Sequence, residues 1–256
     1  MSEPEAGSDA FSLTTSAEKR GDRFVLNGQK TFISNAPIAD LFLVFATTNR
    51  ARGWAGVTGF LVERGAKGLS VGKPLEKMGL KTSPTGEVVL EDVEVPEDMV
   101  LGRVGQGSAI FNAEMEWERS CLFALHLGAM ERQLEDTIRY AKERKQFGQP
   151  IGSFQAVSHK IADMKVRIEL AELVLLKVAW LKAKGSRASL ESAISKLFVS
   201  ESFVQNSLDA VQIHGGYGYM AEYDVERDLR DAIGGKLYSG TNEIQHNIIA
   251  KMVLGL

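Results

Sequence analysis

Val157-Ser158-His159-Lys160-Ile161-Ala162-Asp163-Met164-Lys165-Val166-Arg167-Ile168-Glu169-Leu170-Ala171-Glu172-Leu173-Val174-Leu175-Leu176-Lys177-Val178 places apolar residues at 157, 161, 164, 168, 171, 175 and 178, four and three apart throughout. That spacing puts them on one stripe of a long helix, read here as a buried face. Working outward, Leu127, Met130, Leu134 and Ile138 mark a helix before it. Ile194, Leu197, Val204, Leu208 and Val211 mark one after it, beyond the polar joint Lys182 to Arg187, and Ile244, Ile248, Ile249 and Met252 mark a short last helix. Long helices with short joints predict an antiparallel bundle from about residue 105 onward.

The N-terminal part has a different period. Phe24-Val25-Leu26, Leu41 to Phe45, Val57 to Val62 and Val88 to Val95 are short β-type runs. Asn27-Gly28, Lys67-Gly68 and Pro84-Thr85-Gly86 supply turns between them, and Pro96 ends the last. The expected fold class is therefore α+β: a small β-barrel or sandwich over residues 1–104, then an antiparallel four-helix bundle over 105–256.

Composition narrows the classes. With 44% hydrophobic and 25% charged residues, the sequence is that of an ordinary globular protein. A net charge of −3 gives no electrostatic case for nucleic acid. No apolar run approaches the roughly 20 residues that span a bilayer, and the acidic start Met1 to Asp9 reads as neither signal nor transit peptide, so a cytoplasmic location is expected. The single cysteine, Cys121, excludes an internal disulfide and is expected in the core, and the four histidines have no metal-ligand spacing.

Two glycine-rich breaks interrupt the helical half: Gln212-Ile213-His214-Gly215-Gly216-Tyr217-Gly218-Tyr219 and Leu237-Tyr238-Ser239-Gly240-Thr241-Asn242-Glu243-Ile244-Gln245. Glycine admits close approach of a ligand to backbone. The second break opens a helix, whose free N–H groups would face a ligand. Either break could equally be a plain helix joint. Two further segments complete an ordered set: Glu143-Arg144-Lys145-Gln146-Phe147-Gly148-Gln149-Pro150-Ile151 with Phe154-Gln155-Ala156-Val157, and Ser2-Glu3-Pro4-Glu5-Ala6-Gly7-Ser8-Asp9. In this order, over essentially the whole chain, they resemble the acyl-CoA dehydrogenase family of FAD enzymes. The resemblance covers the family's middle and C-terminal domains. Its N-terminal helical domain is expected to be missing, since Met1 stands almost where the family's Thr/Ser-Glu-Pro motif begins.

The resemblance implies an FAD site. Ser2 and the backbone from Ala6 to Ser8 would meet the flavin or the acyl thioester, with Ser8 assigned to both. Phe32-Ile33-Ser34 resembles the element beside the flavin ring, where Phe32 packs and the Ser34 hydroxyl hydrogen-bonds. Arg144 and Phe147 resemble the pair that reaches the FAD of a neighbouring subunit, and arginine's planar fork suits a pyrophosphate. Gln212, Gly215 and Gly216 would approach the adenosine diphosphate part. Gln146, Gln155, Gly240, Thr241 and Glu243 complete the cofactor set. A site shared between subunits implies a homo-oligomer, a tetramer by family analogy.

Family chemistry removes an α-proton from an acyl thioester with a carboxylate while a hydride leaves the β-carbon. In many relatives that carboxylate is the Glu of Tyr-Glu-Gly-Thr. Here the motif reads Tyr238-Ser239-Gly240-Thr241, and a serine hydroxyl is too weak a base. Glu118, in Met115-Glu116-Trp117-Glu118-Arg119, resembles the base of isovaleryl-type and long-chain-type relatives, which carry it on this helix and lack the other Glu. Glu114, Glu116 and Glu118 also read as an exposed acidic cluster. Arg119 resembles a contact to the thioester's arm, and the Ser239 N–H would polarise the thioester carbonyl.

Asn35-Ala36-Pro37-Ile38-Ala39-Asp40 and the Met115 to Arg119 segment resemble a biosynthetic branch that includes prolyl-carrier-protein dehydrogenases. The resemblance thus implies that the substrate is an acyl thioester on coenzyme A or on a carrier protein. Lys142, Arg144, Lys145 and Lys160 are candidates for a carrier-docking patch. No motif identifies the electron acceptor. Two other readings stand beside this one: a non-catalytic or split paralogue acting as an assembly partner, and a flavin oxidase or monooxygenase on the same fold.

Overall fold

The computed structural model describes residues 1–256 and divides into two compact units, Met1–Lys77 with Lys81–Glu114, and Met78–Leu80 with Met115–Leu256. A mixed sheet followed by six helices places the fold in the expected α+β class.

The first unit carries β1 (Ser16–Arg20), β2 (Arg23–Ser34), β3 (Leu41–Thr47), β4 (Val57–Glu63), β5 (Leu69–Val71), β6 (Thr85–Pro96) and β7 (Val100–Leu101) in the sheet order β5-β6-β2-β1-β3-β4-β7. Every pair is antiparallel except β1 with β3. β4 and β6 touch without being hydrogen-bonded neighbours, so the sheet curls over its core. Phe42, Val44 and Ala46 of β3 and Phe60 and Val62 of β4 enter that core at every second position, as the pleat requires. β6 changes phase midway: Val88 and Leu90 point inward, then Val93 and Val95. The cause is a register shift against β2 between Leu26 and Gly28, where Asp92 takes a φ of 50°. A second shift lies between Lys30 and Ile33.

The second unit is helical. α1 (Gly107–Trp117) starts within the first unit, which runs to Glu114, and there Phe111 packs edge-on against Phe11 and Phe45. A wide π-helical turn, Glu118–Leu122, joins α1 to α2 (Phe123–Glu143). The hairpin of β8 (Lys145–Gln146) and β9 (Gln149–Pro150) leads to α3 (Gln155–Ala183), α4 (Ser189–His214), α5 (Val225–Gly235) and α6 (Asn242–Leu254). The α3 stripe faces inward as read: Met164, Ile168, Ala171 and Val178 are buried, and Val157, Ile161 and Leu175 pack beside them.

For α4 the stripe reading fails in part, because Ile194 and Leu208 are exposed. This helix contacts α2, α3, α5 and α6, so it is buried on most sides. Ser192, Ala193, Ser195, Ser200, Ser207 and Ala210 bring its backbone close to those neighbours, and one apolar stripe does not describe it. Cys121 is also exposed, contrary to expectation. The wide turn directs Ser120 and Phe123 inward and leaves Cys121 on the outer side.

Each unit buries titratable groups that bear on stability. In the β unit the Glu3 carboxylate accepts from Lys30 Nζ at 2.7 Å, from Thr14 N at 2.5 Å and from Thr15 N at 3.0 Å, with both members of the ion pair at most 3% exposed. Burial works against ionising Glu3, but the bonds from Lys30, Thr15 and Thr14 outweigh it and hold the carboxyl down at about 2. In the helical unit His126 is buried against Phe123 and Phe203, and burial lowers it to about 4.

Two outcomes follow. Glu3→Ala strands a buried Lys30 and lowers the urea-unfolding free energy by about 3–5 kcal/mol, whereas the Glu3→Leu/Lys30→Met pair recovers most of that loss. On acidification, the folded state refuses a proton that the unfolded state accepts, first at His126 and then at Glu3. The His126 contribution is intact above its ordinary value of 6.5 and is lost as pH falls toward 4; the Glu3 contribution is intact above 4.5 and is lost toward 2. A His126→Gln protein, followed by urea unfolding across this range, loses the slope of about 3 kcal/mol between pH 6.5 and 4 that the parent shows.

Candidate active site

The β unit offers its predicted site residues at the second register shift. One extra residue in β2 opposite β6 forms a bulge at Thr31 and Phe32. Phe32 takes a φ of 57° and stands 71% exposed, although aromatic residues rarely adopt that backbone. The Ser2 carbonyl accepts from Thr31 N at 3.0 Å, so the N-terminal loop lies along the bulge, anchored by the neighbouring Glu3–Lys30 pair. Ser2 is half-buried, while Ser8 and Ser34 are exposed. The bulge therefore presents an aromatic face with hydroxyls on the same strand and the adjoining loop.

In the helical unit the wide turn decides the geometry. The Glu116 carbonyl accepts from Ser120 Oγ at 2.9 Å and from Ser192 Oγ at 3.0 Å, and the Trp117 carbonyl accepts from Ser120 Oγ at 3.2 Å. Side-chain hydroxyls thus satisfy carbonyls that a regular helix would pair with backbone N–H, and the helix widens. The three acids of this segment do not form one solvated cluster. Glu116 is half-buried, paired with Lys182 Nζ at 2.6 Å and bonded by Ser189 Oγ. Burial opposes its ionisation, but Lys182 and Ser189 prevail and lower its pKa. Glu118 is half-buried too, yet it forms no ion pair: Ser239 Oγ donates to its Oε1 at 2.6 Å, and its Oε2 has no partner within the chain.

The turn that carries Ser239 is held from several sides. Arg119 Nε donates to the Ser239 carbonyl at 3.1 Å. Gln245 Nε2 donates to the Gly240 carbonyl at 2.8 Å and to those of Ser239 and Thr241 at 3.4 and 3.3 Å. Tyr238 Oη and His126 Nε2 share a hydrogen bond of 2.6 Å, and burial together with the Glu118 charge pushes the Tyr238 phenol up to about 12. Ser239 adopts a φ of 58° and Gly240 one of 79°. A Cβ on Gly240 would come within 2.9 Å of Gln245 Nε2, so this turn needs glycine. The N–H groups of Ser239 and Gly240 donate to nothing in the chain.

Beyond the turn, the expectation of open N–H groups on α6 is corrected. Thr241 Oγ1 caps Ile244 N, while Asn242 N and Gln245 N donate to the carbonyls of Lys236 and Thr241. The exposed Glu243 carboxylate bonds its own N–H and the Thr241 side chain, which lowers its pKa. The helix start is closed by its own residues, and Thr241 acts there as a cap.

A third group of predicted residues meets in a cleft of about 470 Å³ lined by Arg144, Gln146, Gly215 and Gly216 together with Tyr217 and His214. Gly215 ends α4 at φ 60°, ψ −134°, a conformation open to glycine, and nothing stands within 4 Å of where its Cβ or that of Gly216 would be. The Arg144 guanidinium lies 5.5 Å from the Tyr217 ring centre and pairs with no carboxylate, so its donors suit an anion. Phe147, in the two-residue turn between β8 and β9, is 92% exposed and meets Phe154 edge-on. Phe147, Gln212 and Gln155 do not line this cleft. Of the suggested basic patch, Lys142 and Lys145 are exposed, but Lys160 is engaged by Asp209 at 2.9 Å.

Comparison with known proteins adds identity to this geometry. Residues 1–93 match the family model "Acyl-CoA dehydrogenase, middle domain", and residues 105–254 match "Acyl-CoA dehydrogenase, C-terminal domain". An L-prolyl-(peptidyl-carrier protein) dehydrogenase of Pseudomonas fluorescens is 49% identical over 252 residues, which are 98% of this chain and 66% of that protein. Among solved structures, the prolyl acyl carrier protein oxidase AnaB superposes with a TM-score of 0.98 at 50% identity, covering 100% of this chain and 67% of that one. PigA with FAD and proline gives 0.97 at 43%, covering 98% and 66%. The chain thus spans about two thirds of the length of these relatives. Matched by both family models from its first residue to residue 254, save a short interval, the chain belongs to the acyl-CoA dehydrogenase family.

Proposed function

We propose that this chain carries out FAD-dependent α,β-dehydrogenation of an acyl thioester, with Glu118 as the base. The observation that carries the reading is the state of that carboxylate. A carboxylate locked to a cation is a poor proton acceptor, and Glu116 is locked in this way. Glu118 meets a neutral hydroxyl, and its second oxygen has no partner. It adjoins a turn with two unused backbone N–H groups, the donors needed for a thioester oxygen that gains charge as the α-proton leaves. In the step itself the α C–H bond breaks, its proton goes to Glu118 Oε2, and its electron pair forms the new double bond as the β-hydride departs. FAD, when bound, supplies the acceptor for that hydride.

The residues present suit such a cofactor. Arg144 would bond the pyrophosphate, with Gly215 and Gly216 admitting it close to backbone. Phe32 and Ser34 would meet the flavin ring. Two relatives named for prolyl carrier-protein substrates, at 49% and 50% identity, favour an aminoacyl thioester on a carrier over free acyl-CoA, with prolyl the first acyl group to try. Self-association is part of the proposal. Val166, Leu170, Leu173, Leu176 and Trp180 form a second, exposed apolar face on α3, which suits burial against another copy.

The purified chain is expected to be yellow and to bleach when given prolyl carrier protein without another acceptor. Glu118→Gln keeps the colour and loses about 10²–10⁴-fold in bleaching rate; an unchanged rate removes Glu118 from the role. A colourless protein that takes up no FAD would point to the assembly-partner reading. Arg144→Met weakens FAD binding by about 1.5–3 kcal/mol in a fluorescence titration, without altering the far-ultraviolet circular dichroism.

A further inference from the structure

The site contains one group whose side chain the proposed chemistry leaves unused. Ser239 offers its N–H to the thioester in that reading, a role any residue could fill. Its backbone sits at a φ of 58°, where a side chain is costly and glycine is not. The side chain nevertheless makes a definite contact, a 2.6 Å hydrogen bond to Glu118 Oε1, from a buried position. The donor cannot easily move. Arg119 and Gln245 hold the Ser239 carbonyl, and His126 holds Tyr238 next to it. The acceptor, by contrast, is a long side chain on a widened turn, with no other partner.

We propose that the Ser239 hydroxyl is a positioning residue for Glu118, tying Oε1 to the rigid turn so that Oε2 is presented to the substrate. The inference rests on Glu118 being the base. A glutamate has several rotatable bonds, and a free one spreads its carboxylate over many positions. Fixing one oxygen selects the position of the other, and proton transfer depends steeply on that position. The hydroxyl thus occupies the place where many relatives carry their own glutamate and serves the transplanted base from there.

Ser239→Gly tests this, because glycine keeps the N–H, fits the backbone better and lacks the hydroxyl. In the FAD-loaded chain the maximal rate of substrate-driven bleaching falls about ten- to hundredfold, with KM changed by less than about twofold and the melting temperature not lowered. Added to Glu118→Gln, the glycine change has no further effect, since the two act as one unit. If Ser239 served only the fold, the glycine variant would match or exceed the parent rate. Crystal structures read the same contact without turnover: Glu118 holds one position in the parent and spreads over rotamers in Ser239→Gly. Equal order in both proteins, or parent-like turnover of the glycine variant beside an inactive Glu118→Gln protein, overturns this inference alone. An active Glu118→Gln protein overturns the reading of the base beneath it.

Discussion

A carboxylate bonded by a neutral hydroxyl and by no cation is the contact on which the rest of this account depends. Glu114, Glu116 and Glu118 lie on one segment, and sequence alone gives them equal standing. The fold separates Glu116 from Glu118 by supplying different partners. Lys182 and Ser189 take Glu116, so its charge is compensated and its geometry spent on joining α1 to α3 and the start of α4. Ser239 takes one oxygen of Glu118 and leaves the other. On the proposed reading, that second oxygen is the one that accepts the proton from carbon.

That contact depends on two unusual pieces of backbone. The first is the π-turn, held open by hydroxyls of Ser120 and Ser192 on the Glu116 carbonyl. The second is the Tyr238 to Gly240 turn with two successive positive φ angles, kept in place by His126, Arg119 and Gln245. Below it, Lys196 is fully buried and donates to Asn242 Oδ1 at 2.6 Å and to the Lys236 carbonyl at 3.2 Å, fixing both ends of the segment that leads into α6. Burial and the nearby Arg119 bring that lysine down to about 8. Strain of this kind persists only where the surroundings over-determine it, and here they do.

What could be read from sequence was what periodicity and glycine encode. The α3 stripe, the β runs and the breaks at Gly215 and Gly240 all carry local signals, and each lies where those signals put it. The order of the motifs placed Arg144, Gln146, Gly215 and Gly216, and likewise Glu118 and Ser239, in one functional set by resemblance, but their contacts were not legible, since no local pattern joins residues that distant. The long-range polar pairs were not legible. Glu3 with Lys30, Glu116 with Lys182 and His126 with Tyr238 are buried polar contacts, and hydrophobic periodicity says nothing about them. The α4 stripe misled because a central helix buries small polar residues on several sides, and the start of α6 misled because a threonine cap closes it.

The central claim, that Glu118 receives the α-proton, is tested most directly by trapping the base at the moment of proton transfer. A 3-alkynoyl thioester of the carrier or of coenzyme A isomerises to an electrophilic allene when its α-proton is removed and a proton is returned at the γ-carbon, and the carboxylate that removed the α-proton, once ionised again, then attacks it. Peptide mass mapping of the inactivated chain should find the adduct on Glu118. An adduct on Glu116, or on any residue outside the Glu118 and Ser239 pair's reach, would contradict the account.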